Sequence, residues 1–158
     1  MSDTTTAPAA ADAATQAALE RLNSVIDRLI APDGCPWDST QTPESLTEYV
    51  IEECHELVDA IRSGKTADMV EELGDVAFLI LLIGKLMARA GGPSLADALE
   101  VEAAKMVRRH PHVFSDTTYE SQSEQLKDWD RIRREERPLR TPKAPREPMT
   151  ACRAACRP

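Results

Sequence analysis

IEECHELVDAIRSGKTADMVEELGDVAFLILLIGKLMARA, Ile51 to Ala90, decides the fold. Leu46, Val50, Leu57 and Ile61 recur at steps of four and seven residues, with Glu53 at the intervening stripe position, which predicts a helix running toward Arg62 with one apolar face. Gly64 supplies a C-terminal stop, and a second helix is predicted over about Ala67 to Arg89, before the break at Gly91, Gly92 and Pro93. So short a link predicts an antiparallel helical hairpin.

Outward from the hairpin the pattern stays helical. Upstream, Leu19, Leu22, Val25, Ile26, Leu29 and Ile30 form one apolar face of a helix that stops before Pro32, Asp33 and Gly34. After the loop DGCPWDSTQ, Thr42 and Pro43 read as the cap and first residue of the hairpin's first helix. Downstream, Ser94 and Asp97 resemble a capping box that opens a helix through about Arg109, which Pro111 ends. A last helix is expected from near Ser123, including Leu126, Trp129 and Ile132. Leu, Ala, Glu and Arg are abundant while Gly and aromatics are scarce, so the expected class is all-α.

A chain of 158 residues has room for one domain. Residues 1–13 hold almost no large apolar side chains and are expected to form a flexible tail. Residues 138–158 are Pro-rich and basic and read as a second tail, which leaves 14–137 as the domain. The formal net charge of -8 argues against a nucleic-acid partner, because that affinity comes from Lys and Arg neutralising phosphates. No secretory signal is legible at the start, and the longest apolar run, Val76 to Ile83, is too short to cross a bilayer. A cytoplasmic location without membrane association is therefore expected, with Cys35, Cys54, Cys152 and Cys156 as reduced thiols. Cys152 and Cys156 stand at helical spacing, but two ligands are too few for zinc, and they read as incidental.

The chemistry is written in the hairpin's acids. Glu53 takes a position within the apolar stripe, so a carboxylate points toward the core side, and Glu56 neighbours both Glu53 and Glu52. On the second helix Glu72 and Asp75 are one turn apart, and the half that follows is apolar all round and expected to be buried on every side. Closing the hairpin sets Glu53 and Glu56 opposite Glu72 and Asp75. Like charges so placed raise one another's pKa, and a divalent cation relieves the conflict. Hard oxygen ligands select Mg²⁺, Mn²⁺ or Ca²⁺, and Mg²⁺ commonly adds waters and substrate phosphates. A single ExxE is usually only a solvated helix face; two pairs flanking apolar helices, one interrupting the stripe, weigh toward function.

EExxE followed by ExxD, here Glu52, Glu53, Glu56 and Glu72, Asp75, resembles the MazG-type all-α nucleoside triphosphate pyrophosphohydrolases. The likeness extends to GCPWDSTQT (Gly34 to Thr42), EELGD (Glu71 to Asp75), KMVRRHPHVF (Lys105 to Phe114) and DWDRIRREE (Asp128 to Glu136), covering about residues 18 to 137. The resemblance implies a four-helix-type bundle completed by homodimerisation, or a dimer of dimers. It implies Glu53, Glu56, Glu72 and Asp75 as ligands of Mg²⁺, with Mn²⁺ as a substitute. Lys105, Arg109, Trp129 and Arg133 match the family's nucleotide contacts, with Arg at the last position where Lys is frequent. The implied reaction is hydrolysis of ribo- or deoxyribonucleoside triphosphates to monophosphate and pyrophosphate by water attack at the α-phosphorus. Glu52 and Glu53 are both candidates for the base, and adjacent acids leave base and ligand unseparated.

Other readings stay open beside it: a narrower dUTP or modified-nucleotide hydrolase on the same bundle, or a non-catalytic helical interaction module. Glu52 and His55 form an ExxH of the kind that binds iron in di-iron bundles, but no second ExxH accompanies it. His110 and His112 read as packing and capping groups. Trp37 either closes over the site or plugs the bundle end, with the structural role favoured.

Overall fold

A computed structural model of the chain describes residues 6–136. Every regular element among them is helical: α1 (Thr6–Leu29), a 3-10 turn (Asp38–Thr40), α2 (Thr47–Ser63), α3 (Thr66–Arg89), α4 (Leu95–Arg109), α5 (Pro111–Phe114) and α6 (Gln122–Glu135). The all-α expectation holds. The basic tail at 138–158, with Cys152 and Cys156, lies outside the described residues, as do residues 1–5. Residues 6–13, assigned to a flexible tail for want of apolar side chains, are helical. Ala is the best helix former and Pro8 falls in the first turn, where a missing N–H costs nothing, so propensity alone favours the helix there.

The chain divides into two compact units, residues 1–100 and 101–158, with the boundary inside α4. In the first, α2 packs extensively on α3, and α1 lies against α3. The core is Ile26 from α1, Leu46 from the turn before α2, and Leu79, Leu81, Leu82 and Leu86 from α3. Ile26, Leu46 and Leu82 are almost wholly buried, and each such side chain is worth roughly 1.5–3 kcal/mol against exposure. Gly64, at φ 71°, gives the left-handed turn that reverses α2 into α3. Gly84 lets Leu95 approach α3, since an added Cβ there would meet the Leu95 Cβ at 2.7 Å. At the edge of α1, Lys85 pairs with Asp27 at 2.7 Å, and Arg89 donates to the carbonyls of Ile30 and Ser39.

Three expectations are corrected. α2 begins at Thr47 and not at Pro43, because Thr42 and Ser45 exchange backbone-to-side-chain hydrogen bonds that close a separate turn first. Ile61 is 57% exposed, and Ala60 takes the buried position, so the face turned to α3 runs through Leu46, Val50, Glu53, Leu57 and Ala60. The apolar half of α3 is not buried all round: Ile80 is 49% exposed while Leu79, Leu81 and Leu82 are covered, since α1 and α2 shield only part of the helix.

At the end of the first unit Ser94 and Asp97 do cap α4, with Asp97 Oδ2 accepting from the Ser94 N–H and hydroxyl. In the second unit, Pro111 ends α4 and opens α5. Ser121 caps α6, accepting from the Glu124 N–H. Arg108 and Arg109 of α4 both bind Glu136, and the Tyr119 hydroxyl donates to Asp128 at 2.7 Å. His110 Nδ1 meets the Met106 carbonyl at 2.7 Å, and His112 Nε2 meets the Gln125 amide, while His112 Nδ1 is buried without a partner among the described residues.

Candidate functional site

Helical spacing puts Glu53 and Glu56 on adjoining turns of α2, and the turn at Gly64 carries α3 back across them. Carboxylate oxygens of Glu53, Glu56 and Glu72 come within 4.8 Å of one another. Ala60, one turn past Glu56, is buried and brings no bulk between the helices. Asp75 stands outside that trio and is exposed, yet close enough for its charge to act on Glu53 and Glu72. Glu52 is exposed on the neighbouring ridge of α2. An open cleft of about 300 Å³ adjoins the trio, lined by Glu56, Asp59, Ala60, Ser63, Asp68 and Glu72.

Among the described residues no cation lines the cleft, and the two beside it, Arg62 and Lys65, pair with Asp59 and Asp68 at 3.6 and 3.4 Å and not with the trio. Two like charges 4 Å apart repel by about 1 kcal/mol even in bulk water, and by more as the surroundings dry. Burial, then the charges of Asp75, Glu56 and Glu52, raise the Glu53 carboxyl above its ordinary value. Burial, then Glu56, Glu71, Asp75 and Glu53, do the same to Glu72. Glu72 Oε2 is buried and lacks a hydrogen-bond partner among the described residues. A hard divalent cation fits this donor set.

A larger cleft, about 460 Å³, opens at the other end of α3 beside Gln41, Pro43, Met87 and Arg89. Met87 is 15 residues beyond Glu72, a rise of about 22 Å along the helix, and Arg89 is already committed to two carbonyls. Volume alone would have pointed away from the chemistry.

In the second unit Arg109 and Arg133 converge on one indole, their Cζ atoms 5.2 and 5.1 Å from the Trp129 ring centroid. Lys105, one turn before Arg109, pairs with Glu102. Trp37 is 48% exposed and meets Tyr49 edge-on at 5.6 Å. Asp38 beside it is buried. His55 is exposed.

Sequence reasoning missed Asp59 and Asp68, although both continue the helical ladders, three residues after Glu56 and four before Glu72. It also passed over Glu136, which binds Arg109 across 27 residues where no local period signals the pairing.

Residues 41–114 match the MazG nucleotide pyrophosphohydrolase domain. The crystal structure of a mazG-related protein from Thermotoga maritima matches at a TM-score of 0.61 and 30% identity, over 73% of this chain and 98% of that one. The chain belongs to the MazG family. Its acids Glu52, Glu53, Glu56, Glu72 and Asp75, with Lys105 and Arg109, all fall inside the matched MazG domain. Among MazG relatives, the nucleoside triphosphate pyrophosphohydrolase/pyrophosphatase MazG of Thermotoga maritima is 39% identical over 118 residues, 75% of this chain and 45% of its own length. The nucleoside triphosphate pyrophosphohydrolase of Escherichia coli is 38% identical over 120 residues, 75% of this chain and 46% of its own. The uncharacterized protein YabN of Bacillus subtilis is 43% identical over 114 residues, 72% of this chain and 23% of its own. The chain thus spans less than half the length of these curated MazG relatives. Among the described residues no helix is long and apolar enough to cross a membrane.

Proposed function

We propose that this chain hydrolyses nucleoside triphosphates, ribo- or deoxyribo-, to the monophosphate and pyrophosphate, with Mg²⁺ as its metal and Mn²⁺ as a substitute. The convergence of Glu53, Glu56 and Glu72, with the partnerless Glu72 Oε2, carries this reading. The names of the Thermotoga and Escherichia relatives support the substrate class.

Glu53, Glu56 and Glu72 hold the metal, with Asp75 completing the acid set from one turn further along α3. A magnesium ion held there would supply positive charge to phosphate oxygens and would acidify water, the chemistry that in-line attack at the α-phosphorus requires. Glu52 stays outside the trio and exposed, so it is free to accept the proton of the attacking water while Glu53 serves as ligand. Lys105, Arg109, Trp129 and Arg133 contact the nucleotide; in support, Arg109 and Arg133 already share the Trp129 ring.

The catalytic domain runs over 14–137, and a second copy completes a four-helix-type bundle. Ile51, Val58 and Ile61 on α2 and Val70, Leu73 and Ile80 on α3 are all more than 40% exposed, which leaves apolar surface on the very hairpin that carries the acids. Such a patch marks an interaction site. The activity is placed in the cytoplasm, where an exposed thiol such as Cys54 stays reduced.

Pyrophosphate release with Mg²⁺, assayed across the common ribo- and deoxyribonucleoside triphosphates including dUTP, tests the reading. Turnover on several bases is expected. Turnover on dUTP alone would narrow the substrate, and none on any would leave a helical interaction module.

A further inference from the structure

Among the described residues one ion pair has both side chains less than a fifth exposed: Arg109 and Glu136, at 12% and 15%. Arg109 donates to Glu136 Oε2 through Nε at 3.0 Å and Nη2 at 2.6 Å. Arg108 takes the other oxygen, its Nε and Nη2 standing 3.2 and 3.1 Å from Oε1. One carboxylate therefore holds two guanidinium groups, and its own charge is kept ionised by them, chiefly by Arg109. Arg109 also stands over the Trp129 ring, which Arg133 approaches to the same distance. With Nε and Nη2 committed, Nη1 of Arg109 carries no hydrogen bond among the described residues.

We propose that Glu136 and Trp129 are positioning residues that fix Arg109 for a phosphate oxygen at Nη1, and that Trp129 serves the phosphate chain and not the base. This deepens, and rests on, the reading of Arg109 and Arg133 as nucleotide contacts. Two observations carry it. The Trp129 ring, with two guanidinium carbons near 5 Å from its centroid, already spends its π surface on cations, an arrangement that cation–π attraction favours within about 6 Å. A phosphate adds to Arg109 without displacing Glu136, because removing one partner of a largely buried ion pair strands the other charge. The planar guanidinium suits this division, since one side binds the carboxylate while a second side keeps donors for another oxyanion.

Inorganic tripolyphosphate, which has phosphates and no base, separates the two roles of Trp129. Its dissociation constant is measured in excess Mg²⁺ by calorimetry on the full chain, beside KM and kcat for four nucleoside triphosphates. Glu136→Gln is expected to weaken tripolyphosphate and all four nucleotides alike by about tenfold, as for one oriented charge-assisted hydrogen bond. Trp129→Leu is expected to weaken tripolyphosphate as much as any nucleotide. Arg108→Ala, which leaves the Arg109 bonds in place, is expected to stay within about twofold. A folded Glu136→Gln that binds tripolyphosphate as wild type does overturns the proposal. So does a Trp129→Leu that loses nucleotide affinity alone, since Trp129 then stacks the base. Should Glu136→Gln fail to fold, Glu136→Asp decides, with partial loss expected and unchanged binding overturning the idea. Wild type that binds tripolyphosphate but hydrolyses nothing defeats the hydrolase reading and leaves this one standing; hydrolysis without tripolyphosphate binding does the reverse.

Discussion

Two charged regions of this chain are built on opposite terms. On α2 and α3, Glu53, Glu56 and Glu72 press together with Asp75 and Glu52 nearby, and the Glu53 and Glu72 carboxyls are pushed above their ordinary values. Around α6, Glu136 answers Arg108 and Arg109, and Asp128 answers Tyr119 and Arg131, so that both carboxyls are drawn below theirs, by hydrogen bonds first of all. A fold left to itself pairs its charges, as the second region does. A region that gathers one sign and leaves a buried oxygen without a partner is shaped for something it binds. On the proposed reading the paired region orients side chains, and the unpaired one receives a cation.

The largest expected effect follows from removing one of the proposed ligands. Glu53→Gln should lower the rate of pyrophosphate release on the order of 10²–10³-fold, comparable to losing a group that stabilises developing charge, while circular dichroism stays helical. Near-normal turnover in that variant would erase the distinction between the regions. Next comes the exposed hairpin face. Leu73→Glu together with Ile61→Glu puts charge on surface that is 59% and 57% exposed in the single chain. Light scattering should report a monomer where wild type gives a dimer, and a wild-type monomer would show that the face has another use.

Much of the first region was legible because its information is local. The recurrence of Leu46, Val50 and Leu57 at four and seven residues, the stop at Gly64 and the intrusion of Glu53 into the stripe are properties of short windows. They fixed both helices and the meeting of the acids. The start of α2 escaped because Thr42 has two turns it can close, and only packing of Leu46 selects the later helix start. The exposure of Ile80 escaped because a run apolar on all sides signals burial without naming what covers each side. The Ser94–Asp97 cap was equally local, but in the second region the Arg109–Glu136 pair joins the end of α4 to the end of α6, and no periodicity spans that distance.

The pH dependence separates the regions with a smaller signal. A carboxyl whose folded pKa is raised favours the folded state below the unfolded carboxylate range and loses that contribution as pH rises through the folded value. Metal-free protein is thus strained at neutral pH by Glu53 and Glu72. Glu72→Gln should raise the metal-free melting temperature there by a few degrees, with the gain fading as pH falls toward about 4. Mg²⁺ should stabilise wild type at pH 7 and progressively less as pH falls through the raised Glu53 and Glu72 values, where protons compete for the same oxygens. A Glu72→Gln variant less stable than wild type in chelator would mean that the acids are not in conflict.

The smallest effect tests the paired region from within. Tyr119 donates to Asp128 at 2.7 Å, and Asp128 also holds Arg131, so its carboxyl is depressed and contributes stability above the ordinary carboxylate range, lost as pH falls through the lowered value. Tyr119→Phe removes the first of those bonds and keeps the ring that packs on His112 at 5.5 Å. Asp128 retains Arg131, so the loss should be only about 1–3 °C in melting temperature near neutrality. It should shrink further on acidification, opposite in sign to the gain from Glu72→Gln. Two substitutions that differ in sign, the Glu72→Gln gain fading above the ordinary carboxylate value and the Tyr119→Phe loss fading below it, are what a chain with one satisfied and one unsatisfied set of carboxylates must show. A Tyr119→Phe variant that gained stability at neutral pH would place Asp128 in the strained class and remove the contrast between the regions.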